Sequence, residues 1–163
     1  MKNLFLLIFI TILTGCSGSN GFTKFSLTPE QERSEASLQS AKIMNDDGSL
    51  EGVMHAVYLN QVYPKKFHGY EYFYIYFYKK EKGDIYDPAK IEDPLLSFTL
   101  NAKLPIKIKE LSHANEFSHL SNADQEWNRY FLVAFKEQGS RLALQLKSDK
   151  VTSNPLIYQK DRR

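Results

Sequence analysis

From Gly52 onward the chain alternates apolar and polar residues with a period of two, the spacing of β-strands, whose successive side chains face opposite sides. Val53, His55, Val57 and Leu59 alternate with Met54, Ala56, Tyr58 and Asn60, which predicts a strand covered on nearly both faces. The clearest case is YEYFYIYFY, residues 70 to 78, with Tyr70, Tyr72, Tyr74, Tyr76 and Tyr78 on one face and Glu71, Phe73, Ile75 and Phe77 on the other. Leu96, Phe98 and Leu100 alternate with Leu95, Ser97 and Thr99. Leu104, Ile106 and Ile108 do so with Pro105, Lys107 and Lys109. Phe131, Val133 and Phe135, then Leu142, Leu144 and Leu146, mark two more strands, and the turn Gln138-Gly139-Ser140 between them predicts a hairpin. A short strand from Pro155 to Gln159 ends the series, with proline at its start, where a missing N–H does least harm.

Before Gly52 the pattern is different. Thr28, Pro29 and Gln31 have the spacing of a capping box with proline in the first helical turn, which predicts a helix from about Pro29 to Ala41. Its apolar face is thin, chiefly Ala36, Leu38 and Ala41, so it belongs on the surface. Asn45-Asp46-Asp47-Gly48 reads as a turn. Residues 112 to 128, SHANEFSHLSNADQEWN, have no sustained period and read as a loop with a short helical turn. About seven strands with no helix between successive ones predict a mainly β fold, an antiparallel two-sheet β-sandwich of immunoglobulin-like or transthyretin-like topology, with one short N-terminal helix. A small β-barrel is the alternative.

The first residues carry an address. Lys2 precedes an apolar run from Leu4 to Leu13, too short to cross a bilayer as a helix and matched to a signal-peptide core. The run ends in Leu13-Thr14-Gly15-Cys16, which resembles the lipobox of bacterial lipoproteins. The resemblance implies cleavage before Cys16 and acylation of that residue, with palmitate among its chains. Two or three acyl chains make a stable anchor where one does not. Ser17 in place of Asp after the cysteine implies the outer membrane, if enteric sorting applies. Cys16 is the single cysteine of 163 residues, so the exported domain has no disulfide to form. The chain therefore divides into a signal peptide, 1 to 15; the lipidated cysteine and a tether, 16 to 28, opened by the small polar run SGSNG; and one domain, 29 to 163.

Charge adds little. The formal net charge is +2 without clustered basic residues, which gives no case for nucleic acid. Lysines at strand ends and in Lys107 and Lys109 discourage edge-to-edge pairing, and Lys160-Asp161-Arg162-Arg163 reads as a solvated end.

Catalytic chemistry is not visible in the sequence. His113, Glu116 and His119 imitate a metal motif, but residues six apart on a helix do not share a face, and helical zinc sites use a spacing of four. His55 reads as a half-buried strand histidine, and His68 lies in a turn-like segment. No nucleophile elbow or glycine-rich phosphate loop occurs, and Asp46-Asp47 and Glu92-Asp93 lack calcium-loop spacing. The expectation is a non-enzymatic, lipid-anchored envelope module without cofactor or metal, docking on another envelope protein as an accessory or assembly subunit. The tyrosines of residues 70 to 78 are its candidate contact patch. A glycan or peptidoglycan binder is the alternative, because a tyrosine ring stacks on a sugar while its hydroxyl hydrogen-bonds; the third reading is an enzyme whose site no motif marks, assembled from residues distant in the chain.

Overall fold

A computed structural model describes residues 27–80, 83–90, 96–120, 125–136 and 139–160. The expected signal peptide, Cys16 and most of the expected tether lie outside the described residues, as do Glu92-Asp93 and the last three positions.

The capping box forms as the sequence predicts. The Gln31 N–H donates to Thr28 Oγ1 at 3.2 Å and the Thr28 N–H donates to Gln31 Oε1 at 2.9 Å, opening helix α1, Pro29–Ser37. The helix stops at Ser37, short of the expected Ala41, and the chain enters β1, Gln39–Asn45. Ala41 and Ile43 of that strand point into the core, and pairing with two neighbours overrides the weak helical pattern. The expected turn follows, with Gly48 at φ 80°, and leads into β2, Leu50–Tyr58. A single helical turn, α2 Leu59–Val62, precedes the tyrosine strand β3, Tyr70–Lys79. The remaining elements are β4 Ser97–Leu100, β5 Lys107–Leu111, a 3-10 turn Ser118–Leu120, β6 Arg129–Lys136, β7 Arg141–Lys147, β8 Val151–Ser153 and β9 Leu156–Gln159. The 3-10 turn falls within the expected loop. β5 begins later than the alternation suggested, and Leu104 is left exposed.

Among the described residues the nine strands form one strongly curled antiparallel sheet, a half-barrel, in the order β4-β7-β8-β1-β2-β3-β6-β5, with β9 also on β7. This corrects the two-sheet sandwich. Local alternation is identical for one sheet that curls and two that stack, and here the ladder is continuous. The joint is β8: Lys147 of β7 pairs with Thr152, and Ile43 to Asn45 of β1 pair with Ser153 to Val151. The predicted hairpin of residues 130 to 147 is also corrected. β6 pairs with β3 and β5, β7 with β4, β8 and β9, and the two meet only through the core between the limbs of the curl.

Each face of β3 supports its own core. Phe73, Ile75 and Phe77 join Phe131, Val133, Phe135, Leu142, Leu144 and Leu146 inside the curl, as their alternation predicts. Tyr74 and Tyr76 join Val57, Phe67, Phe117, Leu120 and Tyr130 in a second cluster on the outer face. α1 joins this outer layer through its two buried residues, both serines: Ser34 Oγ donates to Leu120 O at 2.7 Å, and the Tyr58 N–H donates to Ser37 Oγ at 2.9 Å, while Ala36, expected on the apolar face, is exposed and Leu38 at the C-cap is partly buried. Those bonds explain how a helix with so thin an apolar face is held.

Candidate functional site

The tyrosine face is not one accessible surface. Tyr74 is fully buried, its ring centroid 5.4 Å from that of Phe117, and Tyr76 is 4% exposed. Tyr72 is half-buried against Phe67. Only the ends are open: Tyr70 borders a cavity of about 260 Å³ at one end, and Tyr78, 45% exposed, borders a groove of about 600 Å³ at the other.

The floor of that groove is a row of side chains in register across three strands. Ser40 of β1 pairs with His55 of β2, and His55 with Tyr76 of β3. Ser40 Oγ lies 2.7 Å from His55 Nδ1, and the imidazole stacks on Tyr76 with ring centroids 4.7 Å apart and planes at 13°. Burial holds the His55 pKa below its ordinary value, which favours the neutral ring. The row continues into Tyr130 of β6, stacked on Tyr76 at 6.0 Å. Tyr130 in turn fixes the wall: its hydroxyl donates to Gln125 O at 2.9 Å and accepts from the Gln125 N–H at 3.0 Å. The loop so pinned carries Trp127, 67% exposed, and Asn128. The opposite wall is α1, through Gln31 and Glu35, with Leu27 and Leu38 at its two ends.

Two aromatic rings, Tyr78 and Trp127, thus stand at the rim of a groove whose walls carry polar side chains. Glu35, Gln125 and Asn128, the Tyr78 hydroxyl and the Trp127 indole make no side-chain hydrogen bond or ion pair among the described residues. Ser40 and His55 supply a hydroxyl beside an imidazole, but among the described residues no carboxylate bonds the ring. The groove is equipped to hold a ligand by stacking and hydrogen bonding.

Trp127 was missed by periodicity because its segment has none. The available signal was a lone tryptophan in the polar stretch DQEWN. The metal-like trio is dispersed: His119 Nε2 lies 2.7 Å from Tyr63 Oη, Glu116 pairs with Lys66 at 3.6 Å, and the His113 carbonyl accepts from Ser118 Oγ. Among the described residues no group of three or more His, Cys, Asp or Glu could hold a metal ion. The Ser49 side chain, and after it the Ser49 N–H that donates to Asp47 Oδ1 at 2.8 Å, hold the Asp47 carboxyl below its ordinary value and account for the residue as a turn former. His68 lines the smaller cavity with Tyr70, where buried Glu71 accepts from Tyr58 Oη at 2.5 Å and pairs with Lys160 Nζ at 2.5 Å.

No protein-family model matches the chain, and neither a curated protein nor a solved structure shows significant similarity to it. Among the described residues no helix is long and apolar enough to cross a membrane.

Proposed function

We propose that this protein is a lipid-anchored binding module of the bacterial envelope, held on the outer membrane through Cys16 and docking on another envelope component through the groove. The anchor rests on the lipobox-like Leu13-Thr14-Gly15-Cys16 and the lack of any other cysteine. The binding role rests on one observation above the others: Trp127 is 67% exposed beside Tyr78 at 45%, over a groove of about 600 Å³. Large exposed aromatics cost solvation and are concentrated where a partner covers them. Of the tyrosine row, Tyr78 stands exposed at the rim of that surface and Tyr76 lies buried in its floor.

The two halves of the proposal are tested separately. Mass spectrometry of the mature N-terminus should find an acylated Cys16, and an unmodified or differently processed terminus rejects the anchor. For the groove, Tyr78→Ser combined with Trp127→Ser should leave circular dichroism and thermal transition unchanged, since both side chains are exposed. The same double variant should lose at least tenfold in affinity for isolated envelope fragments. Unchanged affinity in the folded variant would reject the groove as the working surface.

A further inference from the structure

We infer that the occupant of the groove is an uncharged saccharide chain; this rests on the groove being the working surface proposed above. Three properties of the lining converge on that class. The first is shape and polarity. A pyranose presents an apolar C–H face and a rim of hydroxyls, and the groove offers flat rings at Tyr78 and Trp127 beside the amides of Gln125 and Asn128. Those amides make no side-chain bond among the described residues, so their donors and acceptors are available to sugar hydroxyls. Its volume of about 600 Å³ lies in the range of small-ligand sites, roughly 300 to 1,000 Å³.

The second is charge. Among the described residues no Lys or Arg lines the groove, and Glu35 does. The other titratable side chains of the lining besides Tyr76 and Tyr78 are two histidines: His55, whose pKa burial lowers, and His119, whose Nε2 is engaged 2.7 Å from Tyr63 Oη. A phosphate or a uronic acid would meet the Glu35 carboxylate with no Lys or Arg of the described lining to offset it, whereas an uncharged sugar meets a hydrogen-bond acceptor.

The third is the backbone beneath. An extended peptide gains affinity by adding a strand to a free sheet edge. Beneath the groove β2 at His55 and β3 at Tyr76 are paired on both sides, so a peptide lying over them would find no main-chain partners there. A saccharide needs none. Tyr130 is a positioning residue in this scheme, because its hydroxyl holds the Gln125 backbone and through it the loop that presents Trp127.

Trp127 is the single tryptophan of the chain and therefore reports on its own rim. The full-length protein in detergent micelles is titrated with N-acetylglucosamine tetramer, glucose tetramer, the corresponding monosaccharides and galacturonate tetramer, with tryptophan emission as the readout. A saturating shift is expected with at least one uncharged tetramer, at least tenfold weaker with its monosaccharide, and absent with galacturonate tetramer. Gln125→Ala with Asn128→Ala should weaken it at least tenfold while the thermal transition is unchanged. No response to either uncharged tetramer through millimolar concentration overturns the inference, as does an equal response to galacturonate tetramer. A photo-crosslinking residue placed at Glu35 in cells separates the failures. An adduct with an envelope protein, with no saccharide response, overturns the saccharide and leaves the groove as a protein dock. Neither adduct nor response overturns both.

Discussion

Glu71 shows how one residue can reverse its sequence reading. It stands among aromatic residues on the inward face of β3 and is 1% exposed, held by the Tyr58 hydroxyl and by Lys160 from the far end of the chain. Lys160, expected in a solvated tail, is instead drawn to a buried carboxylate, a partner that no local pattern announces. Removing the cation leaves an uncompensated charge in the core, so Lys160→Met should cost about 3 kcal/mol. Glu71→Gln combined with Lys160→Met should cost less than Lys160→Met alone, and reversible urea denaturation of the set decides it. Additive losses would show that the pair is not coupled. His55 gives the second expectation at this scale. Burial lowers its folded pKa below the ordinary value of 6.5, so in that window the unfolded chain binds more protons than the folded one. Its contribution to stability is therefore full above 6.5 and lost as the pH falls through the imidazole range. His55→Gln should flatten the dependence of melting temperature on pH between about 7.5 and 5.5; an unchanged slope would assign the dependence to other groups.

At the scale of elements, what the sequence shows well is which residues share a face. The inward sets of β3, β6 and β7 were legible because period-two alternation is local, and so was the start of α1, because a capping box is local too. Pairing is not local. The sequence signals a turn between β6 and β7, part of which lies outside the described residues, yet the partners of both strands lie elsewhere, chosen by where the inward faces are buried together. β1 was hidden for the same reason, since its core contribution is only Ala41 and Ile43 and its register comes from β2 and β8. Side-chain amides complete what the strands leave open. Gln39 donates to Ile157 O at 2.6 Å and accepts from the Ile157 N–H at 2.9 Å, and Asn60 bridges Tyr70 O and the Tyr72 N–H in the same manner. At Gly52 the backbone of β3 comes so near that a Cβ would lie 2.1 Å from Tyr78 O, a backbone atom that cannot yield without moving the strand. Gly52→Ala should accordingly cost about 3 kcal/mol, the upper range of overpacking. It should also disturb the groove rim, since the displaced carbonyl belongs to Tyr78. A loss under about 1 kcal/mol in denaturant would show that the ladder end can shift freely.

The whole molecule is set by β8, which the sequence did not distinguish. Three residues late in the chain bridge β7 to β1, so the last strand but one joins the half formed first. Ser153 adds a buried bond, its Oγ accepting the Leu146 N–H at 2.9 Å, and Val151, Leu156 and Tyr158 fill the interior of the curl. In a sandwich of two separate sheets, loss of the last strands would shorten an edge and leave the other sheet intact. In a single curled sheet the same loss disconnects the β4–β7 limb from the rest and opens the core that Phe73 and Phe77 share with Leu144 and Leu146. The buried Tyr158 hydroxyl, which donates to Ala56 O at 2.7 Å, would vanish with it and leave that carbonyl in the core without its partner. Long-range closure of this kind makes folding wait for the C-terminus and makes unfolding cooperative over the whole sheet. A chain ending at Lys150 should therefore lose near-ultraviolet circular dichroism and its sharp thermal transition together, while exchange of β3 amide protons rises to the level of an open state. Retention of a cooperative transition with β2, β3 and β6 still protected would mean that β3 and its neighbours stand on their own, and that β8 is an ornament of the edge and not the joint of the fold.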